Sequence, residues 1–448
     1  MLFIALILAL LFIILSAVIY KLHPFLSLLG GAIIFALRSG MELKLLVDSI
    51  NQGFGNLMGN IGLIILFGVM IGTFLERSGG ALILANKILN WIGDRFVTLA
   101  MMITGYIISI PVFADSGFVI MSPLNKALSK KAGVPIAATT AALAIGLLAS
   151  HVMVPPTPGP VAAAAFLEAS IGQVMIWGLV VSSTACLICY FIIIKFVSKV
   201  TIASANDVIE LESNDLASNR YYNAALHPSK AFLPILLPIL LIVLGTVADM
   251  DAKFFGQGTI YNWISFFGQP VIALLIGLLV SFTLPKNIDR DLLSGTGWIG
   301  DAFKAAAPIL LITGAGGIFG QVLKNSELGD LISGMFDGSS LGLLIPFLLA
   351  AALKTCQGSS TVALLTTASI MSSLMGDLGL GSEWMTTLTV LSIAAGSAVV
   401  SHVNDSFFWV LTQMTGFSVT EGYKVQSVMT GVFGVIAMSL ILVLSALG

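Results

Sequence analysis

Charge is what this sequence has least of. Asp, Glu, Lys and Arg together make 9% of its 448 residues, against 57% hydrophobic residues and a mean hydropathy of +1.04. A soluble chain of this length needs far more polar surface, so the composition defines a polytopic membrane protein. The net charge of −2 gives no footing for nucleic acid. Cysteine is also scarce, with three in all. Cys186 and Cys189 form a C-x-x-C inside the apolar run Val180–Ile194, where packing outweighs redox or metal chemistry. No H-E-x-x-H, nucleophile elbow or P-loop appears, and no polar segment is long enough for a nucleotide-binding domain, which excludes an ATP-driven pump. TGAGGIFG (Thr313–Gly320) mimics a dinucleotide fingerprint but lies in an apolar span with no strand before it. Close helix packing through small residues explains it better. Neither metal nor cofactor is expected. The first residues, MLFIALILALLFIILSAVIYK, lack a basic n-region and a small-residue cleavage site, so they read as a retained span rather than a signal peptide.

Hydrophobic runs are abundant. Spans are expected at Leu2–Tyr20, Pro24–Leu37, Asn60–Leu75, Ile136–Ala165, Gly172–Ile194, Phe232–Ala248, Gly268–Leu284, Phe303–Leu323, Met385–Leu411 and Gln426–Leu447. Two further apolar stretches, Val97–Leu128 and Leu341–Leu374, are interrupted by PVFADSG and KTCQGSST. Irregular backbone at membrane depth survives only inside protein or beside a wet cavity, so both read as re-entrant helical hairpins. Val197–Lys230 is the longest polar stretch and reads as a loop between two halves.

The halves repeat. Gly68, Gly72, Leu75 and Ser78 recur 248 residues later as Gly316, Gly320, Leu323 and Ser326, and SHV at 150 recurs at 401. The expected fold is all-α and polytopic, with two inverted repeats, each of five transmembrane helices plus one hairpin. Residues 1–200 form the first repeat, with hairpin 97–128 and broken helix 136–165. Residues 201–230 form a cytoplasmic linker, and 231–448 the second repeat, with hairpin 341–374 and broken helix 385–411. Five crossings is an odd number, so the second repeat is inverted. Inverted repeats with discontinuous helices point to a secondary transporter with its site at the repeat interface. With both termini outside, 15 of the 20 Lys and Arg fall inside, Arg38, Lys44, Lys253 and Lys324 fall outside, and Lys354 lies within the membrane.

Ionisable residues at membrane depth are functional candidates, because each costs about 2.5–3.5 kcal/mol to insert. They are Asp115, Lys354 and Asp405, with His151 and His402 beside them. Ser116, Gln357, Ser359, Ser360, Thr361, Asn404 and Ser406 surround them with polar groups, and Gly117 and Gly358 allow close backbone approach. Pro155, Pro156, Pro158 and Pro160 remove amide donors beside Thr157 and free helical carbonyls. Helix N-termini at the hairpin tips would offer amides to an anion. One cation, several hydroxyls and helix ends suit a small hydroxylated carboxylate, with Lys354 on the carboxyl group and Asp115 or Asp405 carrying a coupled proton. The plainer readings keep their weight. Asp115 and Asp405 can simply cap broken helices, both histidines can be structural, Cys356 can fill space, and Lys354 can pair with Asp405 or Asp115 instead of a substrate. A sodium/proton antiporter, or a sodium-coupled carboxylate transporter of the same fold, would share the buried acids; the antiporter would not need hydroxyl-rich tips. An intramembrane enzyme would have only His151, His402 and Asp405 to work with.

HPFLSLL, ERSGGA, PVFADSGFVIMSPL, VPPTPGPVAAA, TGAGGIFGQVLKNS, QGSSTVALLTT and SHVNDSFFW together resemble the gluconate permease family, the gluconate:proton symporters, over nearly the whole chain. The resemblance implies an ion-coupled organic-anion transporter with two inverted repeats. It further implies proton-coupled uptake of gluconate or a related sugar acid across the bacterial inner membrane, with both termini periplasmic on the span map above. The bilayer, a small organic anion and a proton are then the partners, and a homo-oligomeric, elevator-type mechanism is raised. Two positions depart from the family pattern: Thr157 stands where it has histidine in P-P-H-P, and Lys354 where it has arginine. A lysine is a point charge rather than a bidentate fork, which bears on the substrate.

Overall fold

The computed structural model describes residues 2–20, 22–200, 202, 226–249, 258–326 and 342–447. Among the described residues every regular element is a helix. Most of the expected linker (203–225), and residue 341 at the start of the second hairpin, lie outside them. The first half holds α1 (Leu2–Val18), α2 (Pro24–Ser39), α3 (Leu43–Arg77), α4 (Gly80–Ile92), α5 (Val97–Ile108), α6 (Ala114–Ala132), α7 (Ile136–Met153), α8 (Pro158–Phe166) and α9 (Ile171–Lys195). The second holds α10 (Pro228–Asp249), α11 (Thr259–Gly268), α12 (Pro270–Ser281), α13 (Trp298–Lys324), α14 (Leu344–Gln357), α15 (Ser360–Met371), α16 (Glu383–Ala398), α17 (Ser406–Thr415) and α18 (Val419–Leu447).

One order recurs: a long helix (α3, α13), a pair of short helices (α5–α6, α14–α15), a helix that stops and restarts (α7–α8, α16–α17), and a final long helix (α9, α18). Among the described residues six helices are long and apolar enough to cross a membrane, or up to seven if α11 and α12, bent by 68°, count as one. That is fewer than the ten spans expected. α1 and α2 have 17 and 16 residues, short of a ~20-residue crossing. Met385–Leu411, read from the sequence as a broken helix, is α16 and α17 separated by Val399–Asp405, neither long enough to be counted alone.

α3 begins 17 residues before the expected Asn60 and runs for 35 residues. Its first half is polar on one side but buries Leu46, Ser49, Gly53 and Leu57 at helical spacing. That face packs on α13. A Cβ at Gly53 would fall 2.4 Å from the Gly317 carbonyl oxygen, and one at Gly317 would fall 2.3 Å from that of Gly53. The backbones therefore touch, and TGAGGIFG is a packing surface. Hydrocarbon chains solvate leucine as well as a protein does, so close packing of this kind, rather than apolar burial, holds such helices together. α3 also meets the breaks: a Cβ at Gly72 would lie 2.1 Å from the Pro111 carbonyl oxygen. Cys186 and Cys189 are buried in α9 as free thiols.

Candidate functional site

α7 stops where proline removes amide donors. Val154 is extended ahead of Pro155 and Pro156, and α8 restarts with Pro158 in its first turn and Thr157 before it. Thr157 turns its hydroxyl back to the Val154 carbonyl at 2.6 Å. α16 stops at Ala398 without a proline. Val400 there holds φ +49°, strained for a β-branched residue. α17 restarts at Ser406, with Asp405 Oδ1 accepting the Phe407 amide at 3.0 Å as an N-cap. The second hairpin turns at Gly358, φ +83°, and Ser359 caps α15 by accepting the Val362 amide. The first hairpin breaks over 109–113, earlier than PVFADSG suggested, so Asp115 sits in the first turn of α6.

Three helix N-termini, those of α6, α15 and α17, meet at one cavity of about 170 Å³. Its polar lining is Asp115, His151, Ser359, Ser360, Thr361, Asp405 and Ser406, and its apolar lining is Phe113, Ala114, Leu148 and Phe407. Ser406 Oγ donates to Asp115 Oδ2 at 2.9 Å across the cavity. His151 Nδ1 is buried without a hydrogen-bond partner among the described residues, and its ring stands edge-on to Phe113 at 5.9 Å between centroids. A smaller cavity behind Phe113 and His151 is lined by Gly68, Pro156 and Thr157 among others. The first amides of a helix have no intrahelical partner, so the main cavity offers backbone donors from three directions, with positive helix ends behind them.

Other expected site residues do not line it. Lys354 is 1% exposed and lies beneath the cavity floor, its ammonium 2.6 Å from Asp405 Oδ2 and 2.6 Å from the Gly358 carbonyl oxygen. In this structure the partners of the ammonium are protein oxygens, one of them the Asp405 carboxylate that the plainer reading named. Asn404 donates to the Thr355 and Cys356 carbonyls at 2.8 and 3.1 Å, and His402 Nε2 meets Thr355 O at 2.8 Å. Both therefore close the C-terminus of α14. A Cβ on Gly117 would fall 2.7 Å from Leu147 Cδ2, so Gly117 is a packing position against α7. Ser116 and Gln357 also stay off the lining.

Ser401 and Gln426 were missed by residue-level reasoning. Ser401 Oγ donates to Asp405 Oδ2, and Gln426 Nε2 donates to Ser401 Oγ at 2.9 Å. Ser401 N reaches Thr430 Oγ1 at 3.1 Å, tying the break to α18. The repeated SHV was the available signal, since its serine stands at both breaks. The apolar walls carried no signal, because Leu148 and Phe407 read like any other span residue.

The cavity lies among helices, the only regular elements of the described residues, and six or up to seven of these are long and apolar enough to cross a membrane, as a permease requires. The sequence agrees over its length: the chain matches the GntP family permeases across residues 1–447 and belongs to that family. It is 33% identical over 429 residues to the inner membrane permease YgbN of Escherichia coli, covering 92% of each chain. It is 32% identical over 438 residues to the gluconate permease of Pseudomonas aeruginosa, covering 95% of this chain and 93% of that one. Among solved structures it is similar to Neisseria gonorrhoeae MtrF, with a TM-score of 0.66 over 89% of this chain and 83% of that one. At 15% identity this is a likeness of fold alone.

Proposed function

We propose that this chain is a secondary active transporter of the bacterial inner membrane that takes up a gluconate-type sugar acid together with a proton. The observation that carries the reading is the convergence of three helix N-termini on a small hydroxyl-lined cavity that also holds a carboxylate. In this reading the substrate carboxylate meets first-turn amides of α15 and α6, and its hydroxyls pair with Ser359, Ser360, Thr361 and Ser406. The name of the Pseudomonas aeruginosa relative, a gluconate permease, supports the substrate class. Each helix end contributes about 0.3–1 kcal/mol to a bound anion, and a net hydrogen bond about 0.5–1.5 kcal/mol. A micromolar site needs about 8 kcal/mol, so most of the affinity must come from many hydrogen bonds together, as a polyhydroxylated substrate can make.

Asp115 links the proton to the substrate. An ionised Asp115 beside the bound carboxylate is a like-charge repulsion in a confined site, and a proton on it removes that repulsion. Substrate and proton then favour each other's binding reciprocally. Asp405 faces the same cavity, but both its oxygens are engaged, one by the Phe407 amide and the other by Lys354 and Ser401. His151 is the other titratable group on the lining. The two runs of matching elements support a repeat, the segregation of Lys and Arg supports its inversion with both termini periplasmic, and such a protein transports by exposing the cavity to alternate sides. Proteoliposomes test this reading. An inward proton gradient should drive accumulation of labelled gluconate by the wild type; accumulation indifferent to the gradient would refute the coupling.

A further inference from the structure

Two of the last carbonyls of α14 accept from the broken segment after α16. Thr355 O takes His402 and Asn404, and Cys356 O takes Asn404. The Gly358 carbonyl, one step further round the tip, takes the Lys354 ammonium. That ammonium therefore sits between two oxygens, Gly358 O and Asp405 Oδ2, and the Ser401 hydroxyl bonds that same carboxylate oxygen. Gln426, 1% exposed, closes the cluster through Ser401 and keeps an Oε1 with no hydrogen-bond partner among the described residues. The negative end of a helix, a carboxylate, an unwound-segment carbonyl and a hydroxyl make a site for a small cation. Discontinuous helices of secondary transporters bind free cations with such groups.

We propose that this cluster is a monovalent-cation site that the protein fills with its own lysine. The tethered ammonium locks the second hairpin to the broken helix behind it, so no free metal ion is needed there. In the first half no lysine stands in the equivalent place: at an offset of 243, read from the hairpin tips, Lys354 falls on Pro111. In the wild type, folding and transport are then indifferent to Na⁺. Removing the ammonium leaves a negative cage that Na⁺, Li⁺ or methylammonium can enter.

The test uses purified full-length protein in choline chloride, titrated at constant ionic strength with NaCl, LiCl or methylammonium chloride. For Lys354→Ala, the thermal midpoint should rise saturably with at least one of these cations. The wild type should not respond, and neither should Lys354→Ala combined with Asp405→Asn, which lacks the carboxylate. A Lys354→Ala protein that stays flat in all three salts, that tracks the wild type, or that cannot be recovered folded in any of them contradicts the proposal. So does a double variant that responds as the single one does. The melting readout is independent of what the protein transports, so its failure is distinct from failure of the sugar-acid reading. In proteoliposomes the same cation should restore uptake that Lys354→Ala loses by about 100-fold or more.

Discussion

Ser406 donates to Asp115 at 2.9 Å, joining the first hairpin to the second broken helix across 291 positions of sequence. The two elements belong to different halves, so the bond can be kept only while the cavity between them is assembled. It also marks the cavity carboxylate that has hydroxyl support and stands outside the Lys354–Asp405 ion pair.

Ser406→Ala should therefore weaken substrate binding modestly. Losing one net hydrogen bond costs about 0.5–1.5 kcal/mol, or roughly two- to tenfold in apparent affinity. Concentration-dependent uptake in proteoliposomes checks this. A loss of several hundredfold would mean that Ser406 does more than support Asp115.

Lys354 and Asp405 should behave as one unit. Removing one partner of a buried pair costs about 3–5 kcal/mol, because the other charge is stranded. Lys354→Gln and Asp405→Asn should each unfold at markedly lower temperature, and the double variant should lose less than the two single losses added together. Additive losses in the thermal midpoints would show that the pair at 2.6 Å does not stabilise the fold.

Gly358→Ala should break the second hairpin tip. Its φ of +83° costs an alanine about 1–2 kcal/mol. The added Cβ would also stand 2.1 Å from the Asn404 carbonyl oxygen, so the broken segment must shift. Uptake should fall steeply at normal expression. An alanine variant with wild-type kinetics would mean that the tip geometry is not needed for transport.

Much of this was legible in the sequence. The prolines after SHVM stop α7, and Gly358 with Ser359 turns the second hairpin; both follow from local backbone chemistry. The acids and hydroxyls that line the cavity stood out because polar residues are rare in such a chain. What stayed hidden depends on tertiary contact. Lys354 had two protein acids and a substrate as partners on paper, and only the fold brings Asp405, 51 positions away, to its ammonium. The polar first half of α3 reads as a loop until α13 covers its glycine face. Asn404 and His402 look like ligand groups, yet the end of α14 uses them up.

Topology separates the inverted-repeat reading from its alternatives. On the inverted-repeat reading five crossings lie between Asn206 and the C-terminus, so reporter tags inserted at Asn206 and placed after the C-terminus should map to opposite sides of the membrane. Tags on one side would require an even number and would remove the inversion.

In the proposed function Asp115 carries the proton that moves with a sugar acid. The direct measurement compares wild type and Asp115→Asn in proteoliposomes given labelled gluconate from outside, in two modes. With an inward proton gradient, the variant should fail to accumulate substrate while the wild type does. With equal pH on both sides, the variant should still exchange labelled for unlabelled gluconate, because a neutral side chain mimics the protonated carrier. An Asp115→Asn protein that accumulates gluconate up the gradient as the wild type does would contradict the account.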